Sequence, residues 1–538
     1  MIFVQYFAEA TGFITLQANF NQGALMMLLI SALAIALLGL IFISDRMLSY
    51  GKDVYAKESD ANYSIVPKLK DKLWQAPKTD VVKNSSLKKA PYINLKQGFD
   101  IKIEGSPAKE IKSYTAATYV VNPKDFMGLS PIPKVLVETG DEVKAGDILF
   151  FDKKNPDVQY VSPVSGEIAS VNRGEKRSIG EIVILADKEM QYKSFDVPSL
   201  SSLTRQNVIE HMLNAGLWPF LKQRPYNEIA NHHIQPKGIY ISTFDSNPLA
   251  PDYSFTLAGQ DKYFQAGIDA LAKLTDGPIH LGLNAKSNPA SLFENAKNVK
   301  HYWFNGKHPY GNVGIQIHHI DPILKGDIVW TVNPEELVTI GKYFKEGKYD
   351  PVVTLAVGGP VVTHPAYFRT HIGASISGLI KDNLEKENVR FVSGNVLTGK
   401  QISAEGHLTY SANQLTVLEE GDHYELFGWL LPSYMRPSLS NTFPAALFPN
   451  YEHDVNTNTH GEHRAFVVTG QYESVLPMDI YPQHLLKSII ANDLDKMEGL
   501  GIYEVVEEDL AICEFVCTSK QQVQQILREG IEYLKEQG

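Results

Sequence analysis

The chain has 538 residues, 44% of them hydrophobic and 21% charged, and a formal net charge of -11. That length exceeds one hydrophobic core and implies several domains. The acidic balance argues against nucleic acid as the main partner. Two cysteines in the whole chain exclude a disulfide framework and suit a reducing cytoplasm for most of it.

Residues 1–22 contain no Lys or Arg, and the stretch from Gly23 to Ser44 carries no charge at all. At roughly 1.5 Å per residue a helix there reaches about 33 Å, enough to cross a hydrocarbon core of ~30 Å. Beyond it basic residues dominate: Arg46, Lys52 and Lys57, then Lys68, Lys70 and Lys72. The positive-inside rule therefore expects residues 1–22 outside, a transmembrane helix at 23–44, and everything later on the cytoplasmic side. Residues 45–93, rich in lysine and broken by Pro67, Pro77 and Pro91, read as a juxtamembrane linker drawn to anionic headgroups.

From 94 to 191 the chain reads as short strands and turns, with Gly140 and Gly146 where tight turns need freedom in φ. This predicts a small β-sandwich of the lipoyl/biotinyl-like kind. Residues 192–348 alternate buried-type strands, such as "KGIYIST", "GPIHLGL", "KHYWF" and "GDIVWTV", with helical stretches at 263–274 and 334–347. That alternation predicts a doubly wound, Rossmann-like α/β domain. Residues 349–450 read as a β-grasp (SLBB-like) α+β module with a helix at 373–380, and 451–538 as a C-terminal helical domain. The fold class is thus multidomain α/β and α+β behind an N-terminal transmembrane helix.

Cys513 and Cys517 are separated by three residues, the last interval of the iron–sulfur run C-x2-C-x2-C-x3-C-P. The missing positions hold Leu510 and Glu507, and Thr518 stands in place of the proline. No cluster is expected here, only two buried thiols. Lys153 follows Asp152 where a lipoyl domain carries its modified lysine, which leaves a lipoyl-like carrier as one alternative. Neither GxGxxG nor GxxxxGK[ST] occurs, and "VGGPV" reads as a turn, so a bound nucleotide is unsupported. His453, His460 and His463 are too loosely spaced for a metal site, and His318-His319 reads as structural, on a strand. In "NAGLWPFLKQRPYNE", Trp218, Phe220 and Tyr226 offer a flat apolar slot, with Lys222 and Arg224 as donors to carbonyl oxygens, a combination that suits a quinone ring.

From about Gly98 onward, "FDKKNPDVQYVSPVSGEIASVNRGEKRS", "AGLWPFLKQRPY", "VSGNVLTG", "ELFGWLLP" and "EEDLAICEFVC" resemble the A subunit of the sodium-translocating NADH:quinone oxidoreductases. The resemblance implies one subunit of a six-subunit pump in the bacterial inner membrane. This subunit holds no redox cofactor, no catalytic residue and no metal. NADH, FAD, FMN and Fe–S centres belong to the five partner subunits (B to F), with the B subunit the chief neighbour. Quinone is the implied ligand, carried over onto Gly128 and Leu129 in "DFMGLS" and onto Leu221, Lys222, Arg224, Pro225 and Tyr226. In similar flavin-binding proteins a Gly-rich loop holds flavin; here "AGLWPF" keeps Gly216 but puts Leu217 and Trp218 where small residues are needed. An independent flavin-binding oxidoreductase is the other alternative. Residues 1–93 depart from the family pattern.

Overall fold

The computed structural model describes residues 80–537 apart from 131, 175–177, 424–435, 438, 441–447 and 449, together with 30–33, 35–37, 39 and 40. The chain divides into two compact units, Met1–Thr79 and Asp80–Gly538. Most of the predicted transmembrane stretch lies outside the described residues; those of it that are described are helical and mostly exposed. Among the described residues no helix is long and apolar enough to cross a membrane. The "ELFGWLLP" stretch also lies outside them.

In the larger unit the barrel-sandwich comprises two small antiparallel sheets. One orders its strands Thr118–Val121, Ile179–Ala186, Gly166–Arg173 and Glu142–Val143; the other Lys134–Val135, Ile148–Asp152 and Asn155–Val161. Between the last two strands Lys153 stands exposed at a hairpin tip. Val121, Leu149, Phe150, Ile168 and Ile182 fill the space between the sheets.

The α/β domain is a seven-stranded sheet. Its parallel part runs Tyr92–Asn94, Lys300–Asn305, Ile279–Asn284, Ile239–Ser242 and Val329–Thr331; Lys222–Arg224 and Glu228–Ile229 extend it antiparallel. The central strands Ile239–Ser242, Ile279–Asn284 and Val329–Thr331 are short, largely buried runs, as parallel strands under helices must be. The helix Pro334–Glu346 shows how local sequence sets its limits. The side chain of Asn333 accepts from Glu335 N at 3.0 Å, and Glu336 Oε2 accepts from Asn333 N at 3.1 Å. Pro334 occupies the first turn, and Gly347 ends the helix in the left-handed region at φ 66°.

A six-stranded mixed sheet comes next, in the order Lys400–Ile402, Val389–Ser393, Gln414–Glu419, Val352–Gly358, Ala366–His371 and Ala108–Ser113. The helices Gln471–Val475, Pro482–Ile490, Leu494–Gly499, Glu507–Val516 and Val523–Gln537 then pack around Leu485, Leu486, Met497, Leu510, Cys513 and Leu527.

Four expectations need correction. Residues 80–93 are not all linker: Asp80–Asn84 is helical, and Tyr92–Asn94 pairs parallel with 303–305. Residues 108–113, read with the sandwich, form an edge of the six-stranded sheet instead. Short strands carry no record of their partners, so sequence order misled in both cases. The helix expected at 373–380 is confined to Ser377–Ile380, because Ala374 and Ser375 form bridges to Tyr119 and His407. His318 and His319 lie on the helix Val313–Ile320, not on a strand. Each still has a structural partner: Glu504 Oε2 is 2.6 Å from His318 Nδ1, and Pro477 O is 2.7 Å from His319 Nε2.

Candidate ligand crevice

In the α/β sheet the chain leaves Ile239–Ser242 for 279–284 and 300–305 on one side, then returns to Val329–Thr331 on the other. The order reverses between 239–242 and 329–331. Doubly wound sheets bind ligands outside the carboxyl ends of the strands at that reversal. Here it opens into a cavity of about 220 Å³ bounded by Ser242 and Thr331 at the strand ends. Phe220 and Lys222 form one wall, and Asn333 with Glu336 the start of the next helix.

The walls are tightly hydrogen-bonded. Ser242 Oγ donates toward Gly311 O at 2.8 Å and lies 2.9 Å from Gln316 Nε2. Tyr253 OH accepts from Asn333 Nδ2 at 2.9 Å and Asn413 Nδ2 at 2.8 Å. Burial keeps that phenol protonated, its pKa far above the ordinary value. Asp245 accepts from both nitrogens of Asn247 at 2.7 Å, yet burial still raises its carboxyl. Burial also pushes Glu336 up to about 6, against the opposing pull of Lys222, and its buried neighbour Glu335 up to about 8.

Arg224 is only 3% exposed and spans to the C-terminal helices, with Nη2 2.5 Å from Glu508 Oε1 and Nη1 3.2 Å from Asp509 Oδ2. Nearby, Arg528 pairs with Glu507 and donates to Tyr226 O at 3.1 Å, while Lys535 pairs with Glu228. The loop from 224 to 228 is therefore clamped to the C-terminal domain.

The two stretches marked in the sequence meet in space. Phe126 and Met127 face Lys222, Glu228 and Glu336 across a seam of about 20 Å³, room for little more than a water. Gly128, at φ 83°, lies so close to Glu228 that a Cβ would stand 2.9 Å from its Oε2. Leu129 packs on the core and Leu221 is fully buried within it. Pro225 is buried, and Tyr226 packs against the C-terminal cluster. Of the seven residues singled out, Lys222 and Arg224 line the crevice. Trp218 does not line a slot: it is fully buried, donates to Ala230 O at 2.6 Å and meets Trp330 edge-on. Sequence reasoning missed Tyr253, Asn333 and Glu336. Asn333-Pro334 directly after a strand was the available signal, since it marks a capped helix start at a strand's carboxyl end.

The loop matched to a flavin cradle is filled by protein. Gly216 sits at φ 68° with the Val161 side chain so near that a Cβ would be 2.5 Å away, and Leu217 and Trp218 are buried behind it. Cys513 and Cys517 are buried free thiols; Cys513 Sγ reaches Tyr472 O at 3.9 Å, and burial raises its thiol pKa well above normal. His453, His460 and His463 form no three-ligand group among the described residues, which bring together only Asp157, His232 and His233.

A barrel-sandwich joined to a doubly wound domain and a six-stranded mixed sheet defines a modular α/β and α+β scaffold. Family models match in that order: the NqrA N-terminal barrel-sandwich hybrid domain at residues 93–187, the NqrA second alpha/beta domain at 203–349, and the NQRA C-terminal domain at 354–404. Proteins described as A subunits of Na(+)-translocating NADH-quinone reductase align with 83% of this chain and 100% of their own length. They include those of Yersinia pseudotuberculosis serotype O:1b at 36% identity, Alcanivorax borkumensis at 35% and Vibrio anguillarum at 35%. The chain belongs to this NqrA family, the A subunits of Na(+)-translocating NADH-quinone reductase.

Proposed function

We propose that this chain serves a Na⁺-translocating NADH:quinone reductase as the subunit that seats the quinone headgroup, and that the switch-point crevice is where it does so. The supporting observation is the convergence on Lys222. Its side chain borders both the crevice of about 220 Å³ and the seam against Met127, beside the aromatic wall of Phe220. One substituted ring fits the larger space, and a quinone needs an apolar wall and one or two donors to its carbonyls. Arg224 is already held by two carboxylates, so Lys222 is the donor available to a ligand. Electrons arrive from the five partner subunits (B to F), which carry the flavins, the Fe–S centres and the NADH site, with the B subunit the chief neighbour.

The segment from Gly23 to Ser44 anchors the chain in the bacterial inner membrane, with residues 1–22 on the periplasmic side and the bulk of the chain cytoplasmic. The uncharged run and the lysines after it support this reading. The decisive experiment is crosslinking with a photoreactive quinone in the assembled complex. Label on peptides containing Phe220–Lys222 or Met127 is expected; label confined to the other subunits removes the assignment.

A further inference from the structure

Away from the crevice, we propose a divalent transition-metal site at Asp157, His232 and His233, one that takes a borderline cation of the Zn²⁺ class. Asp157 projects from the barrel-sandwich strand Asn155–Val161, and the two histidines lie on the loop that leads into Ile239–Ser242. One ligand atom from each residue falls within 4.8 Å of the others. The imidazole rings lie side by side, centroids 3.9 Å apart, and His232 Nε2 is 3.3 Å from Asp157 Oδ2.

His232 is 6% exposed. Its Nδ1 is buried with no hydrogen-bond partner among the described residues, while Nε2 faces Asp157 Oδ2. The edge of Trp218, 6.0 Å away, holds the ring from behind. Two imidazoles and one carboxylate suit Zn²⁺, Co²⁺ or Ni²⁺, leaving a position for water or a fourth donor. A cation here ties the barrel-sandwich to the α/β domain.

The test is titration of the chelator-stripped full chain in detergent with Co²⁺, followed by competition with Zn²⁺. Saturable visible absorption at one cobalt per chain is expected, displaced by Zn²⁺, with a rise in melting temperature. His233→Ala and Asp157→Asn, both at exposed positions, should each weaken binding by about tenfold or more and abolish the thermal shift. His463→Ala should leave both unchanged. No saturable cobalt spectrum, unaltered affinity in His233→Ala, or loss of binding in His463→Ala would overturn the site.

Discussion

Replacing Arg224 with Met separates the structural role of that side chain from a ligand-binding one. Asp509 is fully buried, and Arg224 is its cationic partner. Burial holds the Asp509 carboxyl above the usual range even with the guanidinium present. Removing one member of such a buried pair costs about 3–5 kcal/mol, because a buried charge is left uncompensated. Glu508, at 39% exposure, adds no more than about 1 kcal/mol after screening. Amide hydrogen exchange in the helix Glu507–Val516 reads this locally, and protection should fall by about two to four orders of magnitude at pH 8. At pH 5 the loss should shrink, since Asp509 then carries a proton in both proteins. Arg224→Met combined with Asp509→Leu should recover most of the protection. A change of less than about tenfold in the single variant, with quinone affinity lost, would refute this reasoning and restore Arg224 as a quinone donor.

Glu335 makes stability depend on pH. Its folded pKa of about 8 lies above the ordinary value of 4.5, so between these limits the folded state holds a proton the unfolded state has lost. Stability should therefore fall as pH rises through that window, by at most about 1.4 kcal/mol per pH unit, and then level off above 8. Glu335→Gln should flatten the slope in urea titrations run from pH 5 to 9. Gly216→Ala demands a left-handed backbone from an L-residue and a Cβ pressed onto Val161, so thermal unfolding should show a loss of about 3 kcal/mol. Removing residues 1–45 should move the chain from the membrane to the soluble fraction still folded; aggregation under mild conditions would count against the tether.

Much of the α/β domain was legible because its central strands are contiguous apolar runs and its longer helices keep helical spacing. "PEELVTIGKYFKEG" has helical spacing from Pro334 to Gly347, and the structure places a helix over Pro334–Glu346 that ends at Gly347. Partners were not legible. Nothing in "YIN" at 92–94 says that it pairs with 303–305, because register is written in the surface that receives a strand. The same limit hid the role of Arg224. In sequence it is a donor beside a proline; its carboxylate partners lie 284 and 285 residues later, and only packing brings them together. The metal cluster escaped for a related reason: its histidines are adjacent, its carboxylate is in another domain, and no spacing rule covers that arrangement.

The C-terminal helices also explain what kind of ligand the crevice suits. The helix Val313–Ile320 starts at its edge, and the first turn of a helix attracts anions. That position is occupied from within the chain. Asn312 Nδ2 donates to Glu508 O at 2.8 Å, and the Asp509 carboxylate lies so near Gly314 that a Cβ there would collide with it. A phosphate brought to the same place would face Glu508 and Asp509, with Asp245 and Glu336 nearby. An uncharged ring with carbonyl acceptors meets no such repulsion and can use Lys222. On the quinone reading proposed above, this filled helix start favours a neutral ligand over a nucleotide at a switch point where nucleotides commonly sit. Micromolar binding of NADH to the isolated chain, lost in Lys222→Ala, would break this argument. Gain of inorganic-phosphate binding in Asp509→Asn, undetectable in the parent, would support it.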